Sequence, residues 1–502
     1  MEYDIIIGLE IHAELKTKSK MFCRCDNNAH NKKPNINTCP ICLAHPGTLP
    51  YPNKQAIEWT ILTGLALNCQ VNKLSKFDRK NYFYPDIPKG YQISQYDLPF
   101  VYGGFMEIDN TKIEITRIHL EEDTGKSIHP KGKNYSLIDY NRAGTPLMEM
   151  VTEPTIPNAE IAKKFCQRYQ QILRYLDISD ANMEKGEMRC EANISIQEKG
   201  KWKYEGNCEI KTLGDYKLNP KVEVKNINSF KAIERAINYE VERQKKALES
   251  GEKLIQETRG WDENKGKTIS QRIKETSADY RYFPEPDIPP IRISDEQILK
   301  IKEKLVELPL SKKTRFIKEY HFSDESADIL VSNQNLAKYT EEVISELRAW
   351  IDAQDDSWER QQKKLGKIAS NWLTSELLKY FDNSNNIEGL KITAENFAEL
   401  ISLIYQDKIN SSAGQKILEI MIEKGGDPTD IMQETGLEQM DNSAELEKMI
   451  EEIIKANPSQ VEEYKNGKEN VLQYFVGQTM ARSKGKANPK KVIEILKKIL
   501  NN

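Results

Sequence analysis

Four prolines in seven positions, Pro284, Pro286, Pro289 and Pro290, interrupt the chain in "YFPEPDIPPIRIS" (282–294). Each fixes φ and removes a backbone donor, so no helix or central strand can run through them. This is the best domain boundary in the sequence, and the two sides read differently. Before it, short alternating runs such as "KIEITRIHLEED" (112–123), "NISIQ" (193–197) and "KVEVKNI" (221–227) predict strands. Between them, 158–176 and 230–251 predict helices, the second ending at Gly251. After it, Ser294 and Gln297 form a capping-box pattern ahead of Ile298, Ile301, Leu305 and Leu308, and the remainder reads as almost entirely helical. A softer boundary falls near "QDKINSS" (406–412). The expected class is therefore α+β with a sheet-and-helix domain over 1–290, then helical segments over 291–405 and 406–502. At 502 residues more than one core is expected.

The stretch "GLEIHAEL" (8–15) places Glu10, His12 and Glu14 on one face of a predicted strand. Further acids follow: Glu121, Glu122 and Asp123 in "RIHLEEDTGK", Glu149 in "TPLMEM" and Glu191 in "MRCEANIS". Carboxylates with one imidazole suit magnesium or manganese better than zinc, and magnesium shares its ligands with phosphate, which suggests a nucleotide. The alternative for each acid is a solvated face or a surface ion pair. Two Gly-Lys-Ser/Thr triplets, at Gly125-Lys126-Ser127 and Gly266-Lys267-Thr268, have Leu120 and Trp261 where a P-loop needs glycine. Neither is a Walker motif, so ATP would have to bind in another way.

Eight cysteines include four within twenty residues, Cys23, Cys25, Cys39 and Cys42. The acidic start "MEYDIII" is unlike a secretion signal, and no run approaches the roughly 20 apolar residues of a membrane span. A cytoplasmic protein with no membrane contact is expected. In that setting four clustered thiols predict a closed structural zinc site, the alternative being four reduced, unliganded cysteines. The net charge of −4 leaves nucleic-acid binding to local patches. One candidate is "FDRKNYFYPDIPKGYQISQYDLPF" (77–100), seven aromatics with Arg79, Lys80, Tyr82 and Lys89 among them; it stacks bases or is largely core. A second is the basic loop with Arg482, Lys484 and Lys486, a phosphate contact or a solvated face.

Together these stretches, with "CPICLAHPGTLP", "NRAGTPLMEMVTEP", "VEVKNINSF", "QETRGWDE", "DYRYFPEPDIPP" and "VEEYKNGKENVLQYFVGQTMARSKGKANP", resemble the GatB family, the B subunits of aspartyl/glutamyl-tRNA amidotransferases. The matching blocks span nearly the whole chain in order. The resemblance implies a "cradle" domain (1–290), a helical domain (291–405) and a small YqeY-like tail (406–502) that holds tRNA. It implies an ATP-dependent, glutamine-hydrolysing carbon–nitrogen ligase that works on misacylated Glu-tRNA(Gln) or Asp-tRNA(Asn). ATP would phosphorylate the tRNA-bound carboxylate, and ammonia would displace the phosphate. Ammonia would come from a separate amidase-type glutaminase, with a small third protein bracing the pair in a heterotrimer; no amidase motif occurs here.

In that scheme Glu10 and His12 are metal ligands at the reaction centre, and Lys225 contacts phosphate. Glu122, Glu149 and Glu191 complete the magnesium site, Glu121, Glu122 and Lys126 serve ATP, and Arg79, Lys80, Tyr82, Arg482, Lys484 and Lys486 contact tRNA. Some family members lack the four cysteines, so zinc rests on this sequence's own thiols. A non-catalytic tRNA-binding or assembly role in the same complex is the competing reading.

Overall fold

The computed structural model describes residues 2–29, 32–273, 280–354, 357–381, 386–438, 443–468, 470–483 and 486–500. The chain forms two compact units, Met1–Leu308 and Pro309–Asn502.

The first unit is built on a ten-stranded sheet. Its principal strands are β1 (Tyr3–Glu14), β2 (Thr111–Glu122), β3 (Pro146–Thr152), β4 (Met188–Glu198), β5 (Val222–Ile227), β6 (Glu257–Asp262) and β7 (Lys267–Ile273). They lie in the order β7-β6-β5-β4-β1-β3-β2, extended beyond β2 by Val101–Tyr102 and Gln70–Val71, with Phe105–Ile108 also paired to β2. All these neighbours are antiparallel except β5 and β6, which run parallel. A parallel pair needs a crossover, and the helix α3 (Phe230–Glu249) supplies it. Two more helices, α1 (Lys54–Ala66) and α2 (Ala159–Tyr175), belong to this unit.

Strand alternation divides the sheet into two chemical faces. On β1, Ile7, Leu9, Ile11 and Ala13 are fully buried, in one cluster with Ile118 and Leu120 of β2, Met148 and Met150 of β3, and Ile194 and Ile196 of β4. Ile161, Phe165 and Leu173 of α2 and Ile233 and Ile237 of α3 join that cluster, so the helices cover the apolar face. The intervening residues, among them Glu10, His12 and Glu14, lie on the opposite face. A one-residue slip of β1 would bury three ionisable groups and expose Leu9 and Ile11, each worth roughly 1.5–3 kcal/mol when buried. The pattern fixes the register, and the register places the site.

The predicted elements are found: Asn158 and Ser229 cap α2 and α3 through their side chains, and Ser294 and Gln297 form the reciprocal capping box. Gly251 follows α3 with φ of +77°, the left-handed conformation that suits glycine after a helix. The second unit is helical throughout its described residues. One apolar cluster runs from Phe316 to Met432, and both Leu403 and Ile409 belong to it. A smaller cluster joins Leu446, Ile450, Phe475, Val492, Leu496 and Leu500. No helix among the described residues is long and apolar enough to cross a membrane.

Candidate active site

The polar face is richest where β2, β3, β1 and β4 adjoin. Register sets His12 opposite Glu149 on one side and Arg189 on the other, with Glu149 in turn opposite His119. Glu149 Oε2 lies 3.2 Å from His12 Nε2 and 3.3 Å from His119 Nε2. Glu121 completes this group, 3.9 Å from His12 and 3.7 Å from His119, and accepts a 2.9 Å hydrogen bond from Ser94 Oγ. Although burial opposes it, the two imidazoles hold the Glu149 carboxyl well below the usual range. Against the same burial, Glu149, with Glu121 and Glu191 beyond it, raises His12 to about 9.

A second group adjoins the first. Glu10 pairs in register with Glu191, and Asn193 Nδ2 donates to Glu10 Oε1 at 2.9 Å. Glu191 Oε2 is 2.8 Å from Lys225 Nζ, which also lies 3.2 Å from Glu223. Burial, with Glu149 and Glu191 nearby, pushes the Glu10 carboxyl up. Glu10, Glu191 and Glu223 each offer one oxygen, all within 4.8 Å of one another, and His12, Glu121 and Glu149 do the same with one nitrogen and two oxygens. The acids read as one site in the sequence thus form two adjoining groups. Hard oxygen donors with one imidazole are the donor set that suits magnesium or manganese, so the residues fit the implied ion.

The third polar residue of β1 closes the row. Glu14 lies 3.6 Å from Arg189, which is also bound to Asp123, and Arg142 stands 3.5 Å from Asp123. Burial and Asp123 together push Glu14 up to about 8.

Other expected residues lie elsewhere. Glu122 projects to the opposite side of β2 from Glu121: its carboxylate takes Lys89 Nζ at 2.5 Å and the Ile93 N–H at 3.0 Å, so it joins neither group. Lys126 is exposed on a short strand, Lys126–Ile128, paired with Leu137–Asp139. Lys80 is close to the first group; Glu121 and the hydroxyl of Tyr282 hold its ammonium charged against burial, and its Nζ lies 5.3 Å from the Tyr280 ring centre. Tyr82 lines the same corner, its hydroxyl donating to Gln92 at 3.3 Å.

Arg79 is engaged in a fork with Glu285, at 2.7 and 2.9 Å, and sits 4.3 Å above the Tyr91 ring. The Glu285 side chain has no exposure, so Arg79→Ala leaves a buried carboxylate unpaired. The expected loss is about 3–5 kcal/mol of stability of the first unit, measured by denaturant unfolding. An unchanged midpoint would show that the fork is dispensable.

Cys23, Cys25, Cys39 and Cys42 are gathered with their sulfurs within 4.8 Å of one another. In the second unit Arg482 pairs with Glu452, Lys486 lies just before the helix Pro489–Leu500, and Lys484 lies outside the described residues.

The sequence reading missed His119, Arg189 and Glu223. His119 stands two residues before Glu121 in "RIHLEED", and alternation alone would have set it on the same face.

Residues 5–299, which carry the sheet and its two metal-capable groups, match the family model of the GatB/GatE catalytic domain. Residues 357–500 match a second model, the GatB domain. The chain belongs to the GatB family. It is 45% identical to the B subunit of the aspartyl/glutamyl-tRNA(Asn/Gln) amidotransferase of Thermosipho melanesiensis over 100% of both chains. The B subunits of the same enzyme from Dehalococcoides mccartyi (44%, 99% of both chains) and Clostridium beijerinckii (43%, 100% of both) are similar over the same extent.

Proposed function

We propose that this chain is the kinase-and-transferase component of a tRNA-dependent amidotransferase, an ATP-dependent, glutamine-hydrolysing carbon–nitrogen ligase of the cytoplasm. The observation that carries this reading is the pair of adjoining groups, His12/Glu121/Glu149 and Glu10/Glu191/Glu223, with the Lys225 ammonium bridging two acids of the second. A purely architectural sheet face has no use for six ionisable ligands side by side, since each buried carboxylate costs stability unless compensated. Magnesium held by these residues would offset charge on phosphoryl oxygens.

The chemistry follows from the substrate. The side-chain carboxylate of a mischarged Glu-tRNA(Gln) or Asp-tRNA(Asn) is a poor acyl donor. Transfer of the ATP γ-phosphoryl group to it creates a good leaving group, which ammonia then displaces to give the amide and phosphate. We assign Lys225, held between Glu191 and Glu223, to phosphate contact, and Lys126 to ATP. Lys80 and Tyr82, beside exposed Phe83 and Tyr84, offer a cation and stacking surfaces to the single-stranded acceptor end. We assign the body of the tRNA to the tail, 406–502, with Arg482, Lys484 and Lys486 on its phosphates. A single zinc at the four cysteines would brace the 19–45 loop. The ammonia is assigned to an amidase-type glutaminase, with a small third protein completing the heterotrimer.

The test supplies the purified complex with mischarged tRNA, magnesium, ATP and ammonium chloride, which bypasses any glutaminase. Amide formation that requires ATP and is lost in Glu10→Ala and His12→Ala is the expected result. Equal product from both variants would favour a non-catalytic tRNA-binding or assembly role.

A further inference from the structure

Arg117 lies on the same transverse row of the sheet as Glu10, two strands away. Val151 of β3 pairs in register with Glu10 on one side and with Arg117 of β2 on the other. Alternation along β2 sets Arg117 on the polar face with His119 and Glu121, because Ile118 and Leu120 belong to the apolar cluster. Strand spacing then holds the Arg117 and Glu10 backbones roughly 10 Å apart, with the short Val151 side chain between them. Two other cations of this face are each shared by a pair of acids, Arg189 by Asp123 and Glu14, and Lys225 by Glu191 and Glu223. No carboxylate lies within ion-pair distance of Arg117 among the described residues, and its Nε is buried without a hydrogen-bond partner. Glu153, just past β3, does not serve it. The Glu153 oxygens already take the Thr116 and Tyr204 hydroxyls, each at 2.7 Å, and the Cys208 N–H at 2.5 Å. A buried donor with nothing to bind costs stability, and a ligand that completes it removes that cost.

Resting on the function proposed above, we infer that Arg117 receives the side-chain carboxylate of the tRNA-bound glutamate or aspartate. A guanidinium matches a carboxylate through two parallel hydrogen bonds, a geometry that a lysine cannot supply. Phosphate oxygens have a cation of their own in Lys225, which lies on the opposite side of Glu10. Arg117 stands instead toward the Lys80 corner, to which the acceptor end of the tRNA is assigned. Burial raises the Tyr282 hydroxyl in that corner, and Lys80 and then Arg117 are the cations that oppose the rise. An amino acid carried in on the acceptor end therefore meets Arg117 with its carboxylate over Val151, between the guanidinium and the two metal-capable groups. The amide product has one acceptor oxygen and no charge, so the residue that holds the substrate releases the product.

The experiment measures equilibrium binding of Glu-tRNA(Gln), of its amidated product Gln-tRNA(Gln) and of a non-hydrolysable ATP analogue to the full chain in its complex. Wild type, Arg117→Gln and Arg117→Ala are compared, with thermal unfolding recorded for each. Glutamine keeps most of the side-chain length and guards against misfolding of the alanine variant. Wild type is expected to bind the mischarged tRNA more tightly than the product. In both variants the mischarged tRNA should weaken about ten- to a hundredfold, the effect of one charge-assisted pair, and so approach the product. Analogue affinity and melting temperature should not change. Guanidinium chloride at low concentration should restore part of the ammonia-dependent amide formation in Arg117→Ala, where it can enter the vacated space, and not in Arg117→Gln. A structural role for Arg117 would give no such rescue. A folded variant that keeps the preference for mischarged tRNA, or a wild type that shows none, would overturn the inference and leave the proposed function intact. Weakened analogue binding with the preference retained would make Arg117 a phosphate contact and overturn it equally. Absence of ATP-dependent amide formation by wild type would instead count against the proposed function itself.

Discussion

Replacing Glu149 by glutamine is expected to lower amide formation by about a thousandfold, the scale of removing one preorganised electrostatic partner from a reaction centre. Glu149 is the hub of its group, with one oxygen in contact with both His12 and His119. The amide keeps one acceptor oxygen and the side-chain volume, so the fold should survive. What it loses is the negative charge that makes His12, Glu121 and Glu149 a ligand set. Glu149→Ala is different: it leaves two buried imidazoles without their shared acceptor, and about 3–5 kcal/mol of stability should go with it. The check is paired. Ammonia-dependent turnover and magnesium affinity are measured on Glu149→Gln, and denaturant midpoints on both variants. A glutamine variant with wild-type turnover would remove the His12 group from the chemistry, whatever the alanine variant does to stability.

How far this arrangement could be read in advance depended on which signals are local. Glu10, His12 and Glu14 announce themselves because an alternating strand carries its own facing information in every second residue. Glu149 and Glu191 were added as further acids and not by that rule, yet each stands on a strand that pairs directly with β1. The same grouping failed for Glu122, which sits next to Glu121 and therefore on the other side of β2; the acid run looked like one cluster because adjacency in sequence was taken for adjacency in space. The division into two groups was not legible either, since it depends on pairing order across five strands. Helix α1 was missed for another reason. Thr60, Ile61, Leu62, Thr63 and Gly64 are consecutive and all buried, so the helix has no polar stripe to reveal a 3.6-residue period.

The cysteine quartet carries the second large expectation, and a buried lysine strengthens it. Lys20 is 1% exposed, yet among the described residues no carboxylate lies within ion-pair distance of it. Its ammonium donates to Asn37 O at 2.9 Å and Tyr140 O at 3.4 Å, and reaches Cys42 Sγ at 3.9 Å. A fully buried ammonium is rare unless something offsets its charge. Here the sulfurs are the available anions, and hydrogen bonding from Cys23, with Lys20 assisting, brings the Cys42 thiol down to about 5. Four thiolates around one zinc ion carry a net double negative charge, which Lys20 would halve. The wild-type chain is therefore expected to hold one zinc. Serine at Cys39 and Cys42 together should abolish it, and Lys20→Met should weaken it at least tenfold in chelator competition with all four cysteines in place. With free zinc a thousandfold above Kd, the bound ion contributes about 4 kcal/mol to folding, so chelation should lower the melting temperature. The loss should also reach the site. Met21 N–H donates to Gly144 O at 2.7 Å and Gly144 N–H to the backbone carbonyl of Asp123 at 2.9 Å, which ties the cysteine loop to the backbone of the residue whose carboxylate pairs with Arg189. Amide formation should fall about ten- to a hundredfold on that account. A wild-type chain that carries no zinc and melts identically with and without chelator would leave the four thiols as ordinary unliganded cysteines, and the charge on Lys20 would need another partner.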